Sequence, residues 1–111
     1  MKFELFQSEK SEKYHFNLKA KNGQVILSSQ GYASKANAKK GIESVRKNAG
    51  IDDHYEIKEA SNGKWFFNLL AGNKQVIGTS QMYASKSGLE NGIDSVKTNG
   101  PEAEIEEVSA E

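Results

Sequence analysis

Residues 14–20 alternate apolar and polar side chains without a break: Tyr14, Phe16, Leu18 and Ala20 fall on one side, His15, Asn17 and Lys19 on the other. A period of two predicts a half-buried β-strand. Phe3-Glu4-Leu5 carries a shorter version of the pattern, separated from the first by the polar stretch 8–12. Asn22-Gly23 suits the positive φ of a tight hairpin turn, and residues 24–28 then supply a third strand. The period changes after that. Ala38, Gly41, Ile42 and Val45 within residues 35–48, and Ala49 just past them, fall at helical spacing, giving one narrow apolar face to cover a sheet. Ser34 stands where a side-chain oxygen can cap the first free N–H groups, and Gly50 ends the helix.

The whole pattern is then written a second time. Gln30-Gly31-Tyr32-Ala33-Ser34-Lys35 returns 51 residues later as Gln81-Met82-Tyr83-Ala84-Ser85-Lys86, and residues 13–49 match 64–100 at 20 of 37 positions without a gap. Only an internal duplication produces such a match. The second copy reads as a strand at 55–57, a turn at Asn62-Gly63, strands at 65–71 and 75–77, and a helix begun by Ser85. Leu89, Gly92, Ile93 and Val96 form its apolar face, and Asn99-Gly100-Pro101 stops it. Residues 103–108 have room for one more strand, at a sheet edge given its carboxylates. Half of 111 residues would be marginal alone, so the copies share one core. Residues 50–54 are too few to act as a flexible domain linker. The expected architecture is a single α+β domain: repeat one in 1–50, repeat two with a C-terminal strand and tail in 51–111, and one antiparallel sheet serving both.

Charge changes this picture more than composition does. Lys plus Arg equals Asp plus Glu at 15 each, which excludes a global attraction to nucleic acid or anionic membrane. Residues 1–50 nevertheless carry ten basic and four acidic side chains, a net +6, while 51–111 carry five and eleven, a net −6. Cysteine is absent, so disulfides, thiolate metal sites and a cysteine nucleophile are excluded. No apolar run reaches membrane-spanning length, and the N-terminal residues lack a signal-peptide core. A soluble cytoplasmic monomer, an internal pseudo-dimer with no membrane partner, is the expectation.

Three motifs carry a family resemblance. Phe16-x-Leu18-x-Ala20-x-Asn22, Ser29-x-x-Tyr32-x-Ser34 and Gly41-Ile42-x-Ser44-Val45 recur as Phe67-x-Leu69-x-Ala71-x-Asn73, Ser80-x-x-Tyr83-x-Ser85 and Gly92-Ile93-x-Ser95-Val96. With these, the chain resembles the duplicated members of the YegP-like family of small bacterial proteins of uncharacterised function, over almost its whole length. The resemblance implies two tandem β3-α-β repeats in a single sheet, with exchanged C-terminal strands and two helices packed on one face. It implies no catalytic residues. The first repeat has little room for its own fourth strand before residue 55, so one strand is expected to serve both units.

Candidate chemistry is sparse. Tyr32-Ala33-Ser34-Lys35 places tyrosine and lysine three apart, not the four of a dehydrogenase pair, and no Gly-x-Gly-x-x-Gly precedes it. Tyr32 and Tyr83 are therefore read as structural, closing the sheet beside the caps Ser34 and Ser85. His15 and His54 are the only histidines and have no ligand-spaced partners, so no catalytic, metal or cofactor site is assigned. Gly41, Ser44 and Asn48, with Gly92, Ser95 and Asn99, lie along one flank of each helix. Glycine inside a helix costs about 1 kcal/mol relative to alanine, so its use in both copies predicts a close approach, helix to helix or helix to sheet. A small polar groove for a ligand is the alternative use of that flank.

Two features distinguish the copies. Lys35, Lys39, Lys40, Arg46 and Lys47 make the first helix basic, a candidate phosphate-binding face for weak, sequence-indifferent nucleic-acid contact. Phe66 and Leu70 replace His15 and Lys19 on the polar side of the strand, which makes them candidate partner contacts. The leading expectation is a small non-enzymatic binding or interaction module for a protein or small ligand, with nucleic acid as the alternative.

Overall fold

The computed structural model describes residues 1–108. Its elements are β1 (Lys2–Gln7), β2 (Tyr14–Lys19), β3 (Val25–Ser28), α1 (Lys35–Asn48), β4 (Tyr55–Glu59), β5 (Trp65–Leu70), β6 (Val76–Ser80), α2 (Lys86–Asn99) and β7 (Glu104–Glu107). Short 3-10 turns at Asp52–His54 and Gly100–Glu102 follow the two helices. The end of the expected tail, residues 109–111, lies outside the described residues.

Local chemistry sets the boundaries. Gly23 (φ 84°) and Gly63 (φ 82°) take the left-handed conformation their turns require. The two are not repeat equivalents: Gly23 turns β2 into β3, whereas Gly63 turns β4 into β5. At the true counterpart of Gly23 stands Lys74, which adopts φ 69° despite its side chain. Each helix starts on its serine: the Asn37 N–H donates to Ser34 Oγ and the Gly88 N–H to Ser85 Oγ, both at 3.1 Å.

The strands form one seven-stranded sheet in the order β4-β5-β6-β3-β2-β1-β7. The copies meet at its centre, where β3 pairs antiparallel with β6 through Leu27↔Ser80 and Ser28↔Thr79. The sheet is mixed, which corrects the expectation of a wholly antiparallel one. β7 runs parallel to β1, with Phe3↔Ile105 and Leu5↔Glu107 in register. No hairpin joins the two, since almost the whole chain lies between them, so their connection does not require them to run antiparallel. β4 is the one strand between α1 and β5. It pairs with β5 through Tyr55↔Leu69 and Ile57↔Phe67, as β1 pairs with β2 through Phe3↔Leu18 and Leu5↔Phe16.

That register puts Phe3, Leu5, Phe16, Leu18, Leu27, Phe67 and Leu69 on one face, where they are fully or almost fully buried. Ala38, Ile42 and Val45 of α1 and Leu89, Ile93 and Val96 of α2 complete the core above them. Each helix also holds the chain that leaves the other. Arg46 of α1 donates to the Ala103 carbonyl after α2, and Lys97 of α2 pairs with Asp52 after α1. Gly78 faces Leu27 across the central pair, and a Cβ there would stand 2.7 Å from Leu27 Cγ.

Candidate interaction surface

Both helices cover the same face of the sheet, so the opposite face is carried by the alternate residues of each strand. In the first copy it is polar apart from Phe6, whose counterpart in the second copy is Lys58, and its charges are internally matched. Lys19 Nζ lies 2.9 Å from Glu4 Oε1, and this hydrogen bond, opposed by burial, holds the Glu4 carboxyl below the usual carboxylate range. Phe6 and His15 stack at 5.7 Å.

The second copy keeps the middle of this face and changes its flanks. Thr79 Oγ1 donates to Asn68 Oδ1 at 2.7 Å, and Asn68 Nδ2 donates to Glu56 Oε1 at 3.1 Å, a polar ladder across three strands. On either side of Asn68 stand Phe66 and Leu70, both half-buried, about 13 Å apart by the rise of the strand. Leu70 pairs with Val76, which is 41% exposed. Phe66 gains a second neighbour that the alternation of β5 does not reveal. A side chain at Gly31 would run into Lys13 and His15, and the repeat equivalents of Gly31 and His15 are Met82 and Phe66. By this equivalence the exposed Met82 (50%) occupies the position next to that of Phe66. Met82 and Val76 are surface residues that the reading of single strands missed; the gapless alignment of the repeats, Gly31 against Met82, held the signal.

The basic residues of α1 are largely engaged. Lys35 Nζ lies 2.6 Å and Lys39 Nζ 3.4 Å from the carboxylate of Glu107 on β7. The hydrogen bond and charge of Lys35, reinforced by Lys39, hold the Glu107 carboxyl below its ordinary value. Arg46 pairs with Glu43, donates to the Ala103 carbonyl and lies over the Phe3 ring at 5.7 Å. Among the described residues, Lys40 and Lys47 make no ion pair. Three of the five candidate phosphate contacts thus hold β7 and the turn before it in place.

The repeated motif is accounted for by packing. Tyr32 exchanges two backbone hydrogen bonds with Tyr14, and its ring stacks on Phe16 at 6.1 Å. Tyr83 does the same with Trp65 and stacks on Phe67 at 6.5 Å. Burial of the rings raises the Tyr32 hydroxyl above its usual pKa. A Cβ at Gly41 would overlap the Tyr32 hydroxyl, and one at Gly92 the Tyr83 hydroxyl. The close approach expected of these glycines is thus made by the tyrosine of the same repeat. The neighbouring flank does border a groove of about 400 Å³ lined by Ser44, Asn48, His54, Ala71 and Asn73. There Asn48 Nδ2 donates to the Ser44 carbonyl, which leaves Oδ1 to accept from His54 Nδ1 at 2.6 Å. Among the described residues no three of His, Asp or Glu gather to hold a metal ion. Among the described residues no helix is long and apolar enough to cross a membrane.

The tyrosine-over-glycine unit and its paired strands occur twice, and the family profile described as "Domain of unknown function (DUF1508)" likewise matches twice, over residues 9–56 and 60–107. The chain belongs to this family. Its curated relatives include the UPF0339 protein YegP of Escherichia coli O157:H7, 56% identical over 98 residues, covering 88% of each chain. The UPF0339 protein in the ptx operon 5' region of Stutzerimonas stutzeri is 49% identical over 106 residues, covering 96% of this chain and 95% of its own. Among solved structures, the solution structure of yegP from E. coli, a protein of unknown function, superimposes with a TM-score of 0.90 at 49% identity over 97% of this chain and 92% of that one. A UPF0339 protein from Shewanella oneidensis gives the same TM-score at 45% identity, over 97% and 91%. The YegP-like resemblance and its tandem repeats are thereby established, and the relatives are themselves uncharacterised.

Proposed function

We propose that this chain is a small non-enzymatic interaction module that engages a protein partner through the uncovered side of β4, β5 and β6. One observation carries the reading: three positions on that side that are His15, Lys19 and Gly31 in the first copy become Phe66, Leu70 and Met82 in the second. Each change adds apolar surface where the sheet has no helix over it. Aromatic and methionine side chains are the types favoured at the centre of interfaces, and the Glu56-Asn68-Thr79 ladder supplies polar groups beside them. The engagement of Lys35, Lys39 and Arg46 within the fold weakens the alternative of a nucleic-acid face on α1.

The test compares the parent with the double variant Phe66→Ser/Leu70→Lys for capture of proteins and nucleic acids from bacterial lysate, with washing at low salt and at about 0.5 M salt. Apolar contact survives the salt and is lost in the variant, while the melting temperature changes little because both side chains are half-exposed. Identical capture by the two forms removes the surface from consideration. Retention of nucleic acid that salt strips, and that a Lys40→Ala/Lys47→Ala variant loses, would move the reading to α1.

A further inference from the structure

The sheet has two ends, and the repeat makes them comparable. At one end β7 lies on β1, and Leu5 beneath it is 1% exposed. At the other end β4 is outermost, and no strand among the described residues lies beyond it. Ile57, which holds the place in β4 that Leu5 holds in β1, is 42% exposed. The Val108 N–H donates to the Leu5 carbonyl at 2.9 Å, so the backbone at this position faces away from β2, toward the side on which β7 lies. The N–H and carbonyl of Ile57 face outward in the same way.

We propose that β4 is a dimer interface, at which two copies of the chain pair β4 with β4 antiparallel about a twofold axis through Ile57 and join their sheets. This goes beyond the reading of the sheet face and does not rest on it.

The central residues Glu56-Ile57-Lys58 are self-complementary in that register, with Tyr55 opposite Glu59 at the ends of the strand. Ile57 meets its own copy on the helix side, through the outward N–H and carbonyl that antiparallel partners exchange. On the other side Glu56 of one protomer stands opposite Lys58 of its partner, and Lys58 opposite Glu56, two favourable cross-strand pairs made by one symmetry operation. The competing pairings lack this match. Self-pairing of β7 in any antiparallel register sets a carboxylate of Glu104-Ile105-Glu106-Glu107 against another side chain of the same acidic strand, with Glu104 opposite Glu106 about Ile105 and Glu106 opposite itself one place on. A second acidic strand laid on β4, as β7 lies on β1, finds a poorer cradle. β7 is held by Lys2, Lys35 and Lys39, and the counterparts of these at β4 are His54, Lys86 and Glu90.

Sedimentation equilibrium of the intact chain from about 10 µM to about 1 mM should show a monomer–dimer equilibrium. Ile57→Pro removes the outward N–H and the isoleucine side chain while taking no hydrogen bond from β5, and should give a monomer throughout that range with the β-sheet circular dichroism signal retained. Glu56→Lys should weaken the dimer at least about tenfold, and Glu56→Lys/Lys58→Glu, which restores the match in reverse, should recover it to within about threefold of the parent. Hydrogen exchange provides a reading independent of folding defects in variants: the Ile57 amide of the parent should be protected at the high concentration and not at the low one. A parent that stays monomeric at about 1 mM overturns the proposal. So does growth past the dimer, which marks head-to-tail pairing, or a dimer indifferent to Ile57→Pro.

Discussion

Tyr32 and Gly41 make sense only as a pair, as do Tyr83 and Gly92. Each tyrosine is fixed at both ends, by two backbone hydrogen bonds to the start of a strand and by a hydroxyl set against a helical glycine. The glycine is therefore a steric requirement of the ring and not a point of flexibility. Gly92→Ala should destabilise the protein by about 1–3 kcal/mol through overpacking, although alanine is otherwise the better helix former. Tyr83→Phe introduced into Gly92→Ala should recover part of that loss by removing the colliding oxygen, whereas Tyr83→Phe alone should not stabilise. Chemical denaturation of the four forms measures the coupling. The sequence showed that both glycines needed a close neighbour, because glycine at the same helical position in two copies is costly twice. It did not show which neighbour, since Tyr32 lies before the helix and only the turn through Ser34 folds it back.

β7 shows how one element is held without a large apolar contribution. All four of its residues are exposed, and its only large apolar side chain, Ile105, is 36% exposed. Its hold comes from the backbone ladder with β1 and from Lys2, Lys35 and Lys39. The Glu107 carboxyl has a lower pKa in the folded chain than its unfolded value of about 4.3. A depressed carboxyl contributes stability that is complete above the unfolded value and is lost as pH falls through the folded one. Acidification below about pH 4 should therefore loosen β7 before the rest of the sheet. Native-state hydrogen exchange checks this: protection of the Val108 amide should fall relative to amides of β5, and Lys35→Ala/Lys39→Ala should remove the difference between pH 6 and acid. The strand itself was legible from its alternation, and so was its place at an edge. Its direction was not, because charge and periodicity fix neither the partner strand nor parallel against antiparallel.

At the scale of the molecule, the opposite charges of the two halves are partly an internal device. Basic residues of the first helix meet the acidic strand that follows the second, and Lys97 of the second helix meets Asp52 after the first. The copies have also become unlike at their junction. Leu27 fills space beside Gly78, its neighbour across the central strand pair, so one leucine serves a position that two identical copies would have to fill twice. Gly78→Leu should overpack the junction and cost about 1–3 kcal/mol. Moving the leucine across, as Leu27→Gly/Gly78→Leu, should recover about 1 kcal/mol relative to Gly78→Leu alone, since either strand can supply the side chain. Thermal denaturation of the three variants distinguishes this from a general intolerance of Gly78 to substitution: no recovery in the double variant would refute the complementary fit.

The sequence by itself determined the duplication, the strands and helices, their caps and turns, and the face each strand buries. These depend on residues within a turn or a few positions of one another, where periodicity and φ preferences act directly. Tertiary structure alone decided that the last strand lies parallel to the first, that three of the basic residues of α1 are spent holding β7 and the turn before it, and that β4 is left as an edge with Ile57 uncovered. Each of these joins residues far apart in the chain, and a choice among distant partners rests on the summed fit of backbone, charge and volume once the whole sheet is assembled.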